Sequence, residues 1–292
     1  MNEKYIRKHK YLFLIPSILL VLLLIYYPLL STVYYSFFNW RDFSKFKSFI
    51  GFSNFLYLMK DISFIKAIKN TFVLLFTAVV FQIGIALILA LLVDSLRRGY
   101  NFFRTVYLFP VIISGSAIGL LFYLIYSYDF GLLNSLLHSL GREKVLWITP
   151  KTALRAVLIP VIWQYVGFYF VILLSALAQI PQSIHEAATI DGISGIKRAI
   201  YISIPLIWDV IAVCISLVII GTFKVFDVIY VITGGGPMDA SQVLGTYLYT
   251  VAFTGQNQGY ASAIGTVIII LGITLSLIAQ ILTKREKIIY QP

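Results

Sequence analysis

Long runs of apolar residues alternate with short polar segments along most of the chain. A helix that crosses a membrane needs about 20 mainly apolar residues. Six runs approach or exceed that length: Leu12–Val33, Ala67–Val93, Val106–Tyr126, Ala156–Ala178, Leu206–Phe226 and Ala261–Leu282. The pattern therefore predicts an all-α membrane protein with six transmembrane helices.

Composition supports a membrane protein and excludes several other classes. Only 12% of the 292 residues are charged, whereas soluble proteins average about 25%. The net charge of +11 is compatible with nucleic-acid binding, but the basic residues are scattered between the apolar runs, so we expect a lipid bilayer and no nucleic acid as the partner. A single cysteine, Cys214, excludes a disulfide framework and a thiolate metal site.

The N-terminus predicts a retained helix. Four basic residues lie within the first ten positions, and the apolar run that follows is longer than the core of a cleavable signal peptide. Orientation follows from the Lys and Arg residues of the short connecting segments. The side that holds both termini carries twelve of them and the other side carries ten, but the twelve lie closer to the helix ends. Both termini are therefore expected in the cytoplasm.

Two connecting segments carry local structural signals. Leucines recur at helical spacing from Leu132 to Leu140, and Asn134, Ser135 and His138 fall between them, which predicts a short amphipathic helix with an exposed polar face. The sequence Thr-Gly-Gly-Gly-Pro at 233–237 cannot continue a helix and predicts a sharp turn.

The stretch from Pro181 to Pro205 is polar, yet it carries helix signals. Ser183 and Glu186 have the spacing of a capping box, and Gly192 is suited to end that helix. Ser194 is suited to begin a second short helix. The segment predicts two short helices between two membrane-length runs.

Glu186-Ala187-Ala188, then Asp191-Gly192, then Ile204-Pro205 resembles the EAA loop of permease subunits in binding-protein-dependent ABC importers. In that family the loop faces the cytoplasm, and its short coupling helix docks into the ATP-hydrolysing subunit. The resemblance assigns coupling to Glu186, Ala187, Ala188, Asp191 and Gly192. Two interpretations of Glu186 stay open, because its carboxylate would serve either docking or only the cap of its own helix.

Residues Phe223 to Pro237 resemble the end of the fifth helix in carbohydrate-type permeases, and the likeness extends from about Ala67 to Leu282. It implies a permease core at residues 67–283 with the EAA loop at 181–205, preceded by residues 1–66 and followed by a cytoplasmic tail at 284–292. It also implies a second, different permease subunit, two ATP-binding subunits and an extracytoplasmic sugar-binding protein. ATP and Mg would be bound by the partners, and no cofactor or metal is expected in this chain, which lacks a phosphate-binding loop motif.

In carbohydrate-type permeases the fourth and fifth helices form walls of the substrate path, and the resemblance implies the same role for them here. Two stripes at helical spacing are the candidate lining residues: Val161, Tyr165 and Phe168 on one helix, and Val218, Gly221, Thr222 and Val225 on the next. Ordinary helix packing explains the same stripes equally well, with Gly221 as a small-residue contact. Lys224 and Asp227 are spaced to form an ion pair near the end of the fifth helix.

The sequence thus predicts a non-enzymatic permease subunit of an ATP-driven importer for a sugar or a related polyol, in the cytoplasmic membrane of a bacterium or archaeon. The alternative is a self-sufficient secondary transporter or channel. Such a protein would favour charge relays inside the membrane or inverted repeats, and neither is evident.

Overall fold

The computed structural model describes residues 14–95 and 99–283. The basic N-terminus, Arg97, Arg98 and the tail at 284–292 lie outside these residues, as do the expectations that rest on them. One antiparallel ladder pairs β1 (Phe38–Asn39) with β2 (Ser48–Phe49). The helices are α1 (Leu14–Tyr35), α2 (Ser53–Leu58), α3 (Ile62–Asp94), α4 (Tyr100–Ile112), α5 (Gly115–Ile125), α6 (Leu132–Ser139), α7 (Ala153–Leu177), α8 (Gln182–Ile190), α9 (Gly195–Leu206), α10 (Trp208–Thr222), α11 (Asp227–Thr233), α12 (Leu244–Tyr249) and α13 (Gln258–Thr283).

The six predicted apolar segments are helical, but two of them are broken. Helices α1, α3, α7 and α13 are each long and apolar enough to cross a membrane alone. The pair α4 and α5 meets at 89°, and the pair α9 and α10 meets at 72°. The described residues therefore hold four such helices, or six spans if each bent pair is one span.

The break between α4 and α5 has a local cause in the sequence. Pro110 lies inside the last turn of α4, and Ile113 leaves the helix with extended angles (φ −74°, ψ 138°). Ser114 then caps α5, because its Oγ accepts a hydrogen bond from the amide of Ala117 at 3.2 Å. A new helix therefore begins immediately and in a new direction.

The fifth apolar helix does not begin at Leu206 as predicted. Leu206 is the last residue of α9, and α10 begins at Trp208 after a break. Helix α9 runs to Leu206 and contains Pro205, and Ile207 separates it from α10. Pro205 removes one backbone donor, which weakens the helix at this point. The second helix of the polar stretch is accordingly longer than the sequence predicts.

The chain divides into two compact units. Within the described residues, the smaller unit comprises 14–61 with 248–270, and the larger unit comprises 62–247 with 271–283. The predicted boundary after Lys66 stays a prediction.

Helix α7 is the central element of the larger unit. In its most apolar window 61% of the residues are buried, against 33% in α3. Phe170, Leu173 and Leu174 are completely buried in an apolar cluster that also contains α3 and α10 side chains. A second cluster joins the first half of α7 to α5 and α11. Because α7 contributes to both clusters, it fixes the positions of its neighbours, although Ile159 and Trp163 on its remaining face stay exposed.

Two features of α7 depend on single residues. Pro160 has no amide hydrogen, so the carbonyl of Ala156 lacks its helical donor, and the hydroxyl of Tyr126 supplies one at 2.9 Å. At Gly167 an added Cβ would overlap the carbonyl oxygen of Tyr107. A glycine is therefore required where α4 crosses α7.

Asn54 organises the smaller unit. This side chain is 6% exposed, and its Nδ2 donates to the carbonyls of Ser36 and Phe38 at 2.8 and 3.0 Å. These bonds tie α2 to the end of α1 and to β1. Helix α1 itself has no buried residue in its most apolar window.

The leucine-rich helix is present as α6, but its predicted polar face is not wholly exposed. Asn134 is 1% exposed. Its Nδ2 donates to the carbonyls of Tyr128 and Val145, and its Oδ1 accepts from the Trp147 indole. The asparagine holds the following loop against α6, a tertiary role that periodicity does not reveal.

The predicted glycine turn is also present. Helix α11 ends at Thr233, and Gly234 and Gly235 take positive φ angles of 60° and 91°. The side chain of Gln242 occupies the space that a Cβ on Gly235 would need. Glycine is therefore required here for both conformation and close approach.

Candidate functional site

The predicted capping box at the start of α8 is wrong. The helix begins at Gln182, directly after Pro181, so Ser183 lies inside it and no side chain caps the N-terminus. Glu186 is consequently in the second turn, beyond the capping position. Glu186 therefore does not cap its own helix, which was the second interpretation of this carboxylate.

The predicted end of α8 is correct in detail. Gly192 has a φ of +74°, its amide donates to Thr189 at 3.1 Å, and the amide of Ile193 donates to Ala188 at 2.8 Å. This pair of bonds is a Schellman motif, which needs a residue in the left-handed region. Asp191 and Gly192 therefore fix the direction in which the chain leaves α8.

The five predicted coupling residues do not all face the same way. Glu186, Ala187, Asp191 and Gly192 are exposed, whereas Ala188 is 3% exposed and packs inside the chain. The small size of Ala188 thus serves internal packing. The other four form an accessible surface at the end of α8.

Two large apolar side chains extend that surface. Ile190 is 86% exposed and Ile196 is 79% exposed, on either side of the turn at Gly192. Exposed apolar groups clustered with charged ones are typical of protein contact sites. We call Glu186, Ala187, Ile190, Asp191 and Ile196 the α8–α9 surface.

The residues predicted for the substrate path come together around one cavity. A cavity of about 150 Å³ lies between α3, α7 and the end of α10. Six of the seven predicted residues line it: Val161, Tyr165, Val218, Gly221, Thr222 and Val225. Phe168 is not among the lining residues. We call this space the central cavity.

Gly221 lies against open space. No atom other than its own neighbours lies within 4 Å of the position that a Cβ would take, so Gly221 is not the close helix contact that the packing interpretation requires. The hydroxyl of Thr222 donates to the carbonyl of Val218 at 2.8 Å and is therefore already bonded.

The predicted ion pair between Lys224 and Asp227 is not among the contacts of the described residues. Lys224 lines the central cavity. Asp227 starts α11 and packs close to Gly115, where an added Cβ would lie 3.0 Å from its own Cβ. Both residues follow the end of α10 at Thr222; Lys224 lies in the link, and Asp227 begins α11, so they do not share one helix.

Four lining residues were absent from the predicted set: Ala78, Gln82, Tyr169 and Lys224. Gln82 carried a usable signal, because an isolated glutamine in an apolar span is costly unless it is bonded. Its Nε2 donates to the carbonyl of Val161 at 3.1 Å. Tyr169 lies four residues after Tyr165 and so continues that stripe at helical spacing, yet it was not included in the predicted set.

Within the described ranges, no group of three or more His, Cys, Asp or Glu residues is arranged to hold a metal ion. The site is thus made of a small cavity with few polar groups and a separate exposed surface on α8 and α9.

Comparison with known proteins identifies the family. Residues 82–288 match the family described as binding-protein-dependent transport system inner membrane component. A probable ABC transporter permease protein, YurN of Bacillus subtilis, is 39% identical over 282 residues, covering 95% of this chain and 96% of its own length. The multiple sugar-binding transport system permease protein MsmF of Streptococcus mutans is 32% identical, covering 94% and 95%.

A solved structure agrees with these relatives. The chain resembles one in the crystal structure of a bacterial ABC transporter that imports the acidic polysaccharide alginate, with a TM-score of 0.84 and 25% identity over 96% of this chain and 97% of the other. The same transporter has been solved with a periplasmic protein that carries an alginate pentasaccharide. The family match covers most of the chain, and the relatives and the fold agree over nearly its whole length; the chain belongs to the inner-membrane permease subunits of binding-protein-dependent ABC importers.

Proposed function

We propose that this permease imports a sugar or a related polyol and that the central cavity is part of its substrate path. The observation that carries the proposal is that six residues, chosen from two helical stripes, line one cavity with open space at Gly221. Relatives named for lactose and for trehalose/maltose transport are 31% and 33% identical over at least nine-tenths of this chain. Polar groups beside aromatic faces suit the hydroxyls and C–H surfaces of a sugar.

The α8–α9 surface is proposed to dock an ATP-hydrolysing subunit. Glu186 and Asp191 supply negative charge, and Ile190 and Ile196 supply apolar area that the described residues leave uncovered. The Schellman turn at Gly192 holds the two parts of the surface in a fixed relation. A rigid, partly apolar surface is what transmission of a motion between subunits needs.

The complete importer is proposed to contain a second, different permease subunit, two ATP-binding subunits and an extracytoplasmic sugar-binding protein. ATP and Mg are bound by the ATP-binding subunits. Closure of their dimer would move the two coupling surfaces together and open the path to the outside. Both termini and the α8–α9 surface would then lie in the cytoplasm, and the Gly234 turn would lie outside.

Uptake by whole cells tests the proposed substrate class. A strain that lacks this chain should lose uptake of at least one of four labelled disaccharides (lactose, maltose, trehalose and diacetylchitobiose), and a plasmid copy should restore it. Uptake of all four at the parental rate in the deletion strain would contradict this substrate range.

A further inference from the structure

Two nearly buried side chains in the wall of the central cavity each have a polar group without a hydrogen-bond partner among the described residues. Gln82 and Tyr169 are each 4% exposed, and both line the cavity. They lie on different helices, α3 and α7, and neither was in the predicted set of path residues.

In the side-chain amide of Gln82, the nitrogen makes a hydrogen bond and the oxygen remains available as an acceptor. Its Nε2 donates to the carbonyl of Val161 at 3.1 Å, which leaves the Oε1 as an acceptor. Within the described ranges the Oε1 has no hydrogen-bond partner, and it is not sealed inside the protein as the Oε1 of Gln164 is. It therefore reaches the surface of the cavity.

A local irregularity of α3 presents this side chain. Residues Val79–Ile83 form a single π-helical turn within the long helix. Such turns are frequent at functional sites because they change the direction of the side chains they carry. Gln82 lies in that turn and is the one residue of the turn that lines the cavity.

Tyr169 provides the complementary group. Its ring packs edge-on against Phe168 with the centroids 5.2 Å apart. Its hydroxyl makes no hydrogen bond in the part of the chain that the structure describes, and it is not enclosed by protein atoms. A phenol that lines the cavity in this way presents both a donor and an acceptor.

An amide or hydroxyl withdrawn from bulk water costs free energy unless it finds another partner. A cavity of about 150 Å³ has room for several water molecules, since one occupies about 30 Å³ in the liquid. We propose that Gln82 and Tyr169 form hydrogen bonds to a hydroxyl of the sugar as it passes, in place of these waters. This inference rests on the proposed substrate path.

The charges around the cavity favour a hydroxylated ligand over a metal cation. Among the described residues that line it there is no carboxylate, and the one charged side chain is the cation Lys224. A cation would be repelled, whereas a hydroxyl is bonded equally well by the amide oxygen and the phenol.

Tyr169→Phe is the decisive variant, because it removes only the hydroxyl, which makes no hydrogen bond with the described residues. Tyr123→Phe is the matched control; it makes the same change on α5, away from the cavity. Gln82→Met removes the other proposed contact, together with its bond to Val161. Each variant is reconstituted with its partner subunits, and uptake of the labelled disaccharide that the wild type transports is measured beside ATP hydrolysis.

We expect Tyr169→Phe and Gln82→Met each to lower the sugar moved per ATP about two- to tenfold, the effect of losing one hydrogen bond. Tyr123→Phe should match the wild type. A structural defect would lower ATP hydrolysis and protein yield together, without changing the ratio. An unchanged ratio in Tyr169→Phe would overturn the inference alone, whereas a wild type that takes up none of the four sugars would contradict the proposed substrate range and this inference with it.

Discussion

At the scale of single residues, the central cavity depends on the absence of side chains as much as on their presence. Gly221 faces open space, and Val218, Thr222 and Val225 surround it on the same wall. Gly221 is an exposed residue of α10, so a side chain added here would extend into the cavity without meeting another atom. The open space is therefore consistent with a path.

Gly221→Trp is expected to abolish sugar uptake while the permease still assembles with its partners. The indole would fill a cavity of about 150 Å³ without displacing the backbone. Gly84→Trp is the matched control, because that glycine also has no atom within 4 Å but does not line the cavity. Normal uptake by Gly221→Trp would remove this wall from the substrate path.

At Gly167, unlike at Gly221, there is no room for a side chain. A Cβ there would overlap the carbonyl of Tyr107, and overpacking of a tight contact costs about 1–3 kcal/mol. Gly167→Ala should therefore lower the thermal unfolding temperature of the purified protein. Gly221→Ala should leave it unchanged or raise it slightly, because alanine is preferred over glycine in a helix by about 0.5–1 kcal/mol. Equal unfolding temperatures for the two variants would contradict the described packing of α4 on α7.

At the scale of elements, sequence patterns located the helices well and their interruptions poorly. Apolar length marked all six segments, and the glycines at 192 and 234 marked real helix ends. The breaks at Ile113 and Ile207 were missed, because proline inside a membrane segment is tolerated in an unbroken helix as well. Tertiary contacts decide between the two outcomes, and a single apolar pattern does not contain them.

The residues that line the central cavity were likewise predicted only in part. The stripe of Val218, Gly221 and Thr222 on α10 was predictable from spacing, because one helix face repeats every three to four residues. Gln82 was not assigned to the path, since its place in it depends on how α3 and α7 pack against each other. Asn134 is a similar case, because its partners lie in a loop that only the fold brings close.

The α8–α9 surface gives a prediction at this scale. Ile190→Asp and Ile196→Asp should leave the permease folded, because both side chains are more than three-quarters exposed. Each should weaken co-purification with the ATP-hydrolysing subunit, since a charge would replace apolar contact area. Leu140→Asp is the matched control, because Leu140 is 74% exposed on a different connecting segment. Undiminished co-purification in both isoleucine variants would exclude this surface as the docking site.

At the scale of the whole molecule, orientation in the membrane follows from the proposed docking. Ser183 is exposed on α8, and Met238 is 79% exposed beyond the Gly234 turn. With Cys214→Ala as background, an impermeant thiol reagent on intact cells should label Met238→Cys and spare Ser183→Cys. Lysis should make both positions reactive. Labelling of position 183 but not 238 in intact cells would reverse the orientation.

We propose that this chain forms a sugar path and that ATP hydrolysis in other subunits drives transport through it. The most direct test is uptake of a labelled disaccharide into proteoliposomes that hold the complete importer, with binding protein and sugar outside and ATP and Mg enclosed. We expect uptake against a concentration gradient that stops when ATP is replaced by ADP, when binding protein is omitted, or when Glu186→Ala replaces the wild-type chain. Accumulation that persists without ATP and responds to an imposed ion gradient would contradict this proposal.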